Sequence, residues 1–354
     1  MYSKDKWKLE NDIKRSKLIL DQGLKEMNYQ SEDIWFAKIK LELIGNDNID
    51  KFNQCNLIIE EAKIKLNQYS ERLIFKQVNI LRFLKRYQEC IELIEIEIEM
   101  NLSSSNNKNY YKYYLQLISI YEEDLKDYEK LKEIYLKSTK LFPKIEIFWI
   151  LYSKFEEIKN KFIIRSRSIL DQSLNINFNN DKLWEERILL EIRNNNFNQG
   201  IKLLEKSLKI IPNSARLLRI KVNYIGKTLS QKKNLFVQCL NLSNDNPIVI
   251  LSIANNLIKF GKFTRAKNFY QKCIEIDKDY GDCYIYYYKY LTSGSGNNQG
   301  NDYENDKEIK EFEKQFNKNE PHHGDEWCYY LKKIDNLDKS PLQILKEASE
   351  NVII

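Results

Sequence analysis

Residues 162–176 read FIIRSRSILDQSLNI, residues 197–211 read FNQGIKLLEKSLKII and residues 263–277 read FTRAKNFYQKCIEID. Each opens on Phe, sets a small residue three or four positions later, and sets a second one seven beyond that. The first small set is Ser166, Gly200 and Ala266; the second is Ser173, Ser207 and Cys273. Copies lie 34 and then 66 residues apart, the latter about twice 33, the period of a helical-hairpin repeat. Seven residues is about two helical turns, so both small positions share one face, where another helix can approach closely. Ser16/Gly23, Cys55/Ala62 and Cys90/Glu97 hold the same offset upstream, and Leu131/Ser138 and Lys232/Cys239 read as degenerate members. Cys55, Cys90, Cys239 and Cys273 thus fall in small-residue slots, which points to buried packing rather than redox or metal work.

A second helix precedes each of these, marked by a large anchor: Trp35, Trp149, Trp184, Tyr284 and Trp327, with Leu218 and Leu251 in the same slot of two further units. From Trp149 the steps are 35, 34, 33 and 33, and then 43 to Trp327. Residues 292–306, TSGSGNNQGNDYEND, carry the excess and read as a flexible insertion. Trp149, Tyr152, Phe155 and Glu156, and likewise Trp184, Ile188 and Glu191, follow helical spacing and predict core. Turn residues fall where repeats should break, at Pro143, Pro212, Pro247 and Pro321. Residues 91–100, IELIEIEIEM, alternate like a strand, but their place in the repeat predicts helix.

The expected fold is therefore all-α, a right-handed α-solenoid of about nine to ten helix-turn-helix units with a concave inner surface. Residues 1–144 are expected to hold degenerate repeats, 145–291 well-formed ones, 292–306 the insertion, and 307–354 a C-terminal repeat and capping helix.

Bulk properties agree. Ten glycines and five prolines in 354 residues are too few for an all-β chain, and 42% hydrophobic residues supply a core. Frequent Asn reads as codon bias, and Asn194–Asn196 as loop filler. The net charge of +6 permits contact with acidic partners or RNA without demanding it. No apolar run is long enough for a membrane helix, the N-terminus lacks a signal-peptide core, and the cysteines lack disulfide-like clustering, which together suggest an intracellular setting.

Catalytic chemistry finds no foothold. The two histidines, His322 and His323, are adjacent, and Cys328 nearby adds too few ligands for a metal; His323 reads as capping or packing the turn before Trp327. Residues 294–300 lack the Lys and Ser/Thr of a phosphate loop. No catalytic, cofactor-binding or metal-ligating residues are expected, and the pattern does not identify partner-contacting ones. Arg165/Arg167, Arg216/Arg219/Lys221 and Lys227/Lys232/Lys233 form either a basic stripe for RNA or, the favoured reading, solvated surface.

The anchor Trp, the acid seven positions on and the small-residue second helix resemble the half-a-TPR (HAT) repeat of RNA-processing factors. FWILYSKFEE at 148–157, LWEERILLE at 183–191, and above all Glu320-Pro321-x-His323-Gly324-Asp325-x-Trp327-Cys328, together with DYGD at 279–282 and Tyr288-Lys289, resemble the pre-mRNA-processing factor six family, the tri-snRNP bridging protein. The resemblance is strong from about residue 145 onward and repeat-level before it. The family carries a further N-terminal region with no counterpart here, which a fragment, a truncated reading of the gene or a paralogue would each explain. The resemblance implies a nuclear, non-catalytic scaffold in pre-mRNA splicing that bridges components during tri-snRNP assembly. Its partners would be spliceosomal snRNP proteins, with snRNA contact admitted through the basic surface and no membrane. The alternatives are another HAT-repeat factor, in mRNA 3′-end formation or rRNA processing, and a direct RNA-binding solenoid.

Overall fold

The computed structural model describes residues 13–45, 50–66, 70–103, 110–293 and 302–353. Nineteen α-helices and no β-strand occur among them. Helix α1 (Ile13–Glu26) is followed by nine pairs, each a first and a second helix. They are α2 (Glu32–Gly45) and α3 (Asp50–Lys65), α4 (Glu71–Phe83) and α5 (Tyr87–Ser103), and α6 (Tyr111–Ser119) and α7 (Tyr128–Leu141). Next come α8 (Glu146–Ile158) and α9 (Ile163–Ile176), α10 (Asp181–Arg193) and α11 (Phe197–Ile210), and α12 (Ala215–Tyr224) and α13 (Leu229–Ser243). The last are α14 (Pro247–Lys259) and α15 (Phe263–Ile276), α16 (Gly281–Thr292) and α17 (Asp302–Asn319), and α18 (Asp325–Lys332) and α19 (Pro341–Asn351).

Local chemistry sets the ends. Ser70, Asp127, Asn180 and Ser214 accept a backbone N–H from the first turn of α4, α7, α10 and α12, satisfying donors that have no intrahelical partner. Asn246 does so for α14, with Pro247 at the first helical position. Thr228 and Gln231 form a reciprocal capping box on α13. Between first and second helices the chain turns through a left-handed residue at Lys85, Lys126, Lys161, Asn195, Gly226 and Gly261.

Residues 91–100 are helical within α5: Ile91, Ile94 and Ile98 are buried while Ile96 and Met100 are exposed. Position in the repeat outweighs the two-residue alternation there. Of the span read as an insertion, residues 294–301 lie outside the described residues. Helix α17 begins at Asp302, inside that span, because Ile309, Phe312 and Phe316 give its polar sequence one face to pack on the apolar cluster around Tyr284 and Trp327.

Contacts divide the chain into two compact units, residues 1–126 with 331–340, and residues 127–330 with 341–354. In the first, Trp35, Ile39, Leu43, Phe52, Cys55, Ile59 and Ala62 form the core, with Phe52 and Phe83 stacked 3.9 Å apart. Leu337 packs on this core and Asp338 pairs with Lys51 at 2.9 Å. A π-helical turn, Ile120–Asp124, continues α6 and delivers Glu123 and Asp124 to the buried Arg82 at 3.0 and 2.7 Å. In the second unit one apolar cluster runs from Leu218 through Tyr284 and Trp327 to Val352. First helices of consecutive repeats, α8, α10, α12, α14 and α16, pack in series, and α19 lies on α16.

Candidate partner-binding groove

The anchors occupy one position of the first helices and are buried: Trp35, Trp149, Trp184, Leu218, Leu251, Tyr284 and Trp327. The aromatic ones share a hydrogen bond. The indole N–H donates to the carbonyl six residues earlier, in the loop entering the helix: Tyr29 for Trp35 (3.0 Å), Pro143 for Trp149 (3.0 Å), Phe178 for Trp184 (2.7 Å) and Pro321 for Trp327 (2.7 Å). The Tyr284 hydroxyl does the same to Lys278 at 3.1 Å. Each anchor thus fills the core with its ring and ties down its own loop with its polar tip. Leu218 and Leu251 supply only the apolar part.

The small positions lie on the second helices. Ser166, Ser173, Ser207, Ala266, Cys239 and Cys273 are wholly buried. Ser166 Oγ meets Ser153 Oγ at 2.6 Å across the hairpin. Ser173 and Ser207 return their hydroxyls to the carbonyls of Leu170 and Leu204. At Gly200 an added Cβ would come 3.1 Å from the Ile192 side chain, tighter than ordinary contact. Burial pushes the Cys55 and Cys90 thiols up to about 12, so they are inert at neutral pH.

The C-terminal signature proves to be an interlock. Asp282, at the start of α16, accepts the backbone N–H of Asp325 at 3.0 Å and of Trp327 at 2.8 Å, capping α18. Gly281 N–H donates to His323 O at 2.7 Å, and a side chain on Gly281 would run into Trp327. Gly324 has φ +134°, and a Cβ there would run into the Asp282 carboxylate. His322 Nδ1 lies 2.8 Å from Asp279, and His323 Nε2 lies 3.0 Å from Asp277. DYGD and EPHHGDEWC are thus the two halves of one joint.

The basic residues flagged in the sequence fall into two classes. The arginines are engaged: Arg165 with Glu156 (3.2 Å), Arg167 with Glu191 (2.7 Å), Arg216 with Glu185 (3.0 Å) and Asp325 (2.7 Å), and Arg219 with Glu185. Glu191, which also accepts from Arg187 and Asn196, is the extreme case. Burial works to raise its pKa, but those hydrogen bonds hold it down to about 2. Lys232 occupies a small-residue slot and is only 4% exposed. Its ammonium donates to Val222 O (2.7 Å), Asn223 O (3.2 Å) and Asn256 Oδ1 (2.6 Å). Burial, with a smaller push from Lys259, draws its pKa below the ordinary lysine value.

These features meet in a groove of about 540 Å³ within the second unit, lined from α10, α12, α14, α16 and α18 and by Lys232 of α13. Its lining includes the acids Glu185, Asp282 and Glu326, and also Asn223, Lys227 and Lys259 near Lys232, whose ammonium bonds Asn223 O and is repelled by Lys259. Tyr286 donates its hydroxyl to Glu326 at 2.7 Å, and burial raises the Glu326 pKa. Sequence reading expected a concave surface and singled out Arg219, Lys227 and Lys232, but not Asn223, Asn256 or Lys259 of this groove. The one available signal was a lysine where the repeat asks for a small residue.

The description "PRP6, TPR-like domain" matches residues 4–349. Pre-mRNA-splicing factor 6 of Saccharomyces cerevisiae is 28% identical over 351 residues, covering 98% of this chain and 37% of that protein. Pre-mRNA-splicing factor prp1 of Schizosaccharomyces pombe is 29% identical over 238 residues, covering 67% and 25%. Human Pre-mRNA-processing factor 6 is 29% identical over 117 residues, covering 33% and 11%. The chain therefore spans little more than a third of the length of the first of these and less of the others. Among solved structures, yeast Tom70 aligns with 97% of this chain and 82% of its own at 13% identity and a TM-score of 0.49.

Proposed function

Because the chain belongs to the PRP6 TPR-like family, we propose that it is a non-catalytic scaffold in pre-mRNA splicing, which binds spliceosomal proteins and bridges them during assembly of the tri-snRNP. The observation that carries this reading is the match over residues 4–349, taken with a groove built from successive first helices. Stacked helices whose anchors are spent on packing leave an extended surface, which suits segments of other proteins. The same reading makes the protein nuclear.

Protein rather than RNA is favoured as the direct partner. Arg165, Arg167, Arg216 and Arg219 are each held by a carboxylate of this chain, and a guanidinium so paired contributes little to counterion release from RNA. Affinity purification of the tagged chain from nuclear extract tests the proposal. Tri-snRNP proteins should be enriched even after ribonuclease treatment. Recovery of 3′-end cleavage factors or nucleolar proteins in their place would move the chain to another branch of RNA processing.

A further inference from the structure

Three lysines that line the groove differ from Arg219, which lines it too, and from the neighbouring Arg216. Among the described residues Lys227, Lys232 and Lys259 have no carboxylate within ion-pair distance, whereas Arg216 and Arg219 are paired. Lys232 is the start of a hydrogen-bond relay whose direction is forced. An ammonium can only donate, and its three donors go to Val222 O, Asn223 O and Asn256 Oδ1. Asn256 must therefore present its oxygen to Lys232 and its amide nitrogen elsewhere. That nitrogen donates to Ser252 O at 2.9 Å and to Asn223 Oδ1 at 2.8 Å. Asn223 Oδ1 also accepts the Ser252 hydroxyl at 2.6 Å. With its oxygen doubly committed, the exposed Asn223 has its amide N–H groups left for the groove, which the exposed Lys227 and Lys259 also line. Every polar group these three residues offer the groove from their side chains is a donor.

We propose that this part of the groove, Asn223 with Lys227 and Lys259, binds a carboxylate side chain from an acidic segment of a partner protein. Lys232 and Asn256 act as positioning residues that fix the polarity of Asn223. The assignment rests on reading the chain as a protein-binding scaffold and adds the chemistry of what it holds. Charge complementarity selects the occupant. A nucleic acid carries a charge at every residue and would also bring phosphates against Glu185, Asp282 and Glu326, which line the same groove. A peptide concentrates its carboxylates at one place and meets those acids with neutral or basic residues.

The test uses the full chain and fluorescence anisotropy. The probes are a labelled peptide of sequence Gly-Ser-Glu-Glu-Leu-Asp-Glu-Gly-Ser, its amide counterpart with Gln and Asn, and an oligouridine. The acidic peptide should bind and the amide peptide should not. Asn223→Asp keeps the acceptor used by Ser252 and Asn256 but replaces the outward donor with an oxygen. It should weaken binding of the acidic peptide by about tenfold or more, as should the double variant Lys227→Ala/Lys259→Ala, with helical circular dichroism unchanged. Equal binding of the amide peptide, undiminished binding by either variant, or no binding of the acidic peptide at about 1 mM would overturn the assignment. So would oligouridine binding that both variants abolish, since the occupant would then be RNA. If the peptide fails but the chain still captures spliceosomal proteins, the carboxylate site is wrong and the scaffold stands; if capture also fails, the scaffold reading itself is wrong.

Discussion

Glu191 stands seven residues after Trp184, and the same position after Trp149 and Trp35 holds Glu156 and Glu42. All three carboxylates meet a base: Glu191 meets Arg167 and Arg187, Glu156 meets Arg165, and Glu42 meets Lys17. Arg167 follows the small residue Ser166 and Lys17 follows Ser16, and each reaches forward to the acid of the next repeat. At Glu42 and Glu191 the acid is therefore an inter-repeat tie, whereas Glu156 ties the two helices of its own hairpin. A carboxylate this enclosed gains nothing from burial itself; its net value lies in the hydrogen bonds that satisfy it. Removing its charge leaves two guanidinium groups short of a partner, so Glu191→Gln should cost about 2 kcal/mol at neutral pH. Glu191 lies near pKa 2 in the fold against a reference of 4.5, so its stabilisation is complete above about pH 4.5 and drains away as pH falls toward 2. Urea denaturation of parent and variant should show a gap that closes on acidification from about pH 6 to pH 3. A gap independent of pH would mean that the side chain's shape, not its charge, matters.

At the scale of elements, the joint between α16 and α18 depends on a missing side chain. Gly281 lies directly against Trp327, and its N–H is held by His323 O at 2.7 Å. Gly281→Ala must push the indole off its seat, breaking its bond to Pro321 O and the caps from Asp282. The expected cost is about 2–3 kcal/mol, as for other overpacked cores. In a Trp327→Ala background the same change should cost much less, and a double-mutant cycle by chemical denaturation reads the coupling. Additive effects would disprove the contact. Much of this level was legible beforehand. Anchors and small residues recur at helix-hairpin period because each must occupy the same packing environment, and that environment dictates residue size. What stayed hidden was polar pairing. Arg216 and Asp325 are 109 residues apart, so no local spacing announces their bond. Lys232 looked like a lapse in the small-residue pattern, because only the fold shows three acceptors at the end of its stem. Helix α17 was obscured because its N-terminus lies in the Gly/Asn-rich composition that marks loops.

For the molecule as a whole, a net charge of +6 in a chain with 57 basic residues says less than the way those charges are spent. The arginines of the suspected stripe face carboxylates and Lys232 faces carbonyls, whereas Lys221, Lys227 and Lys233 lie in a stretch, residues 206–244, that holds no Asp or Glu. RNA binding depends on the number of phosphates neutralised, each released counterion steepening the salt dependence by nearly one log unit per log of salt. A surface whose guanidinium groups are pre-paired engages few phosphates. Oligouridine affinity should therefore be weaker than about 10 μM at physiological salt, with a log–log slope shallower than about −3. Arg167 and Arg216 would have to abandon Glu191 and Asp325 to do better, and those carboxylates would be left with like-charged phosphates close by. Submicromolar affinity with a slope near −6 would show that exposed lysines outside the groove form a phosphate track, and the chain would then be an RNA-binding solenoid in its own right. A shallow slope leaves protein contacts to carry the bridging. In that case the acidic segment proposed for Asn223, Lys227 and Lys259 belongs to a protein that salt and ribonuclease do not displace alike, since only the first weakens a carboxylate–lysine contact.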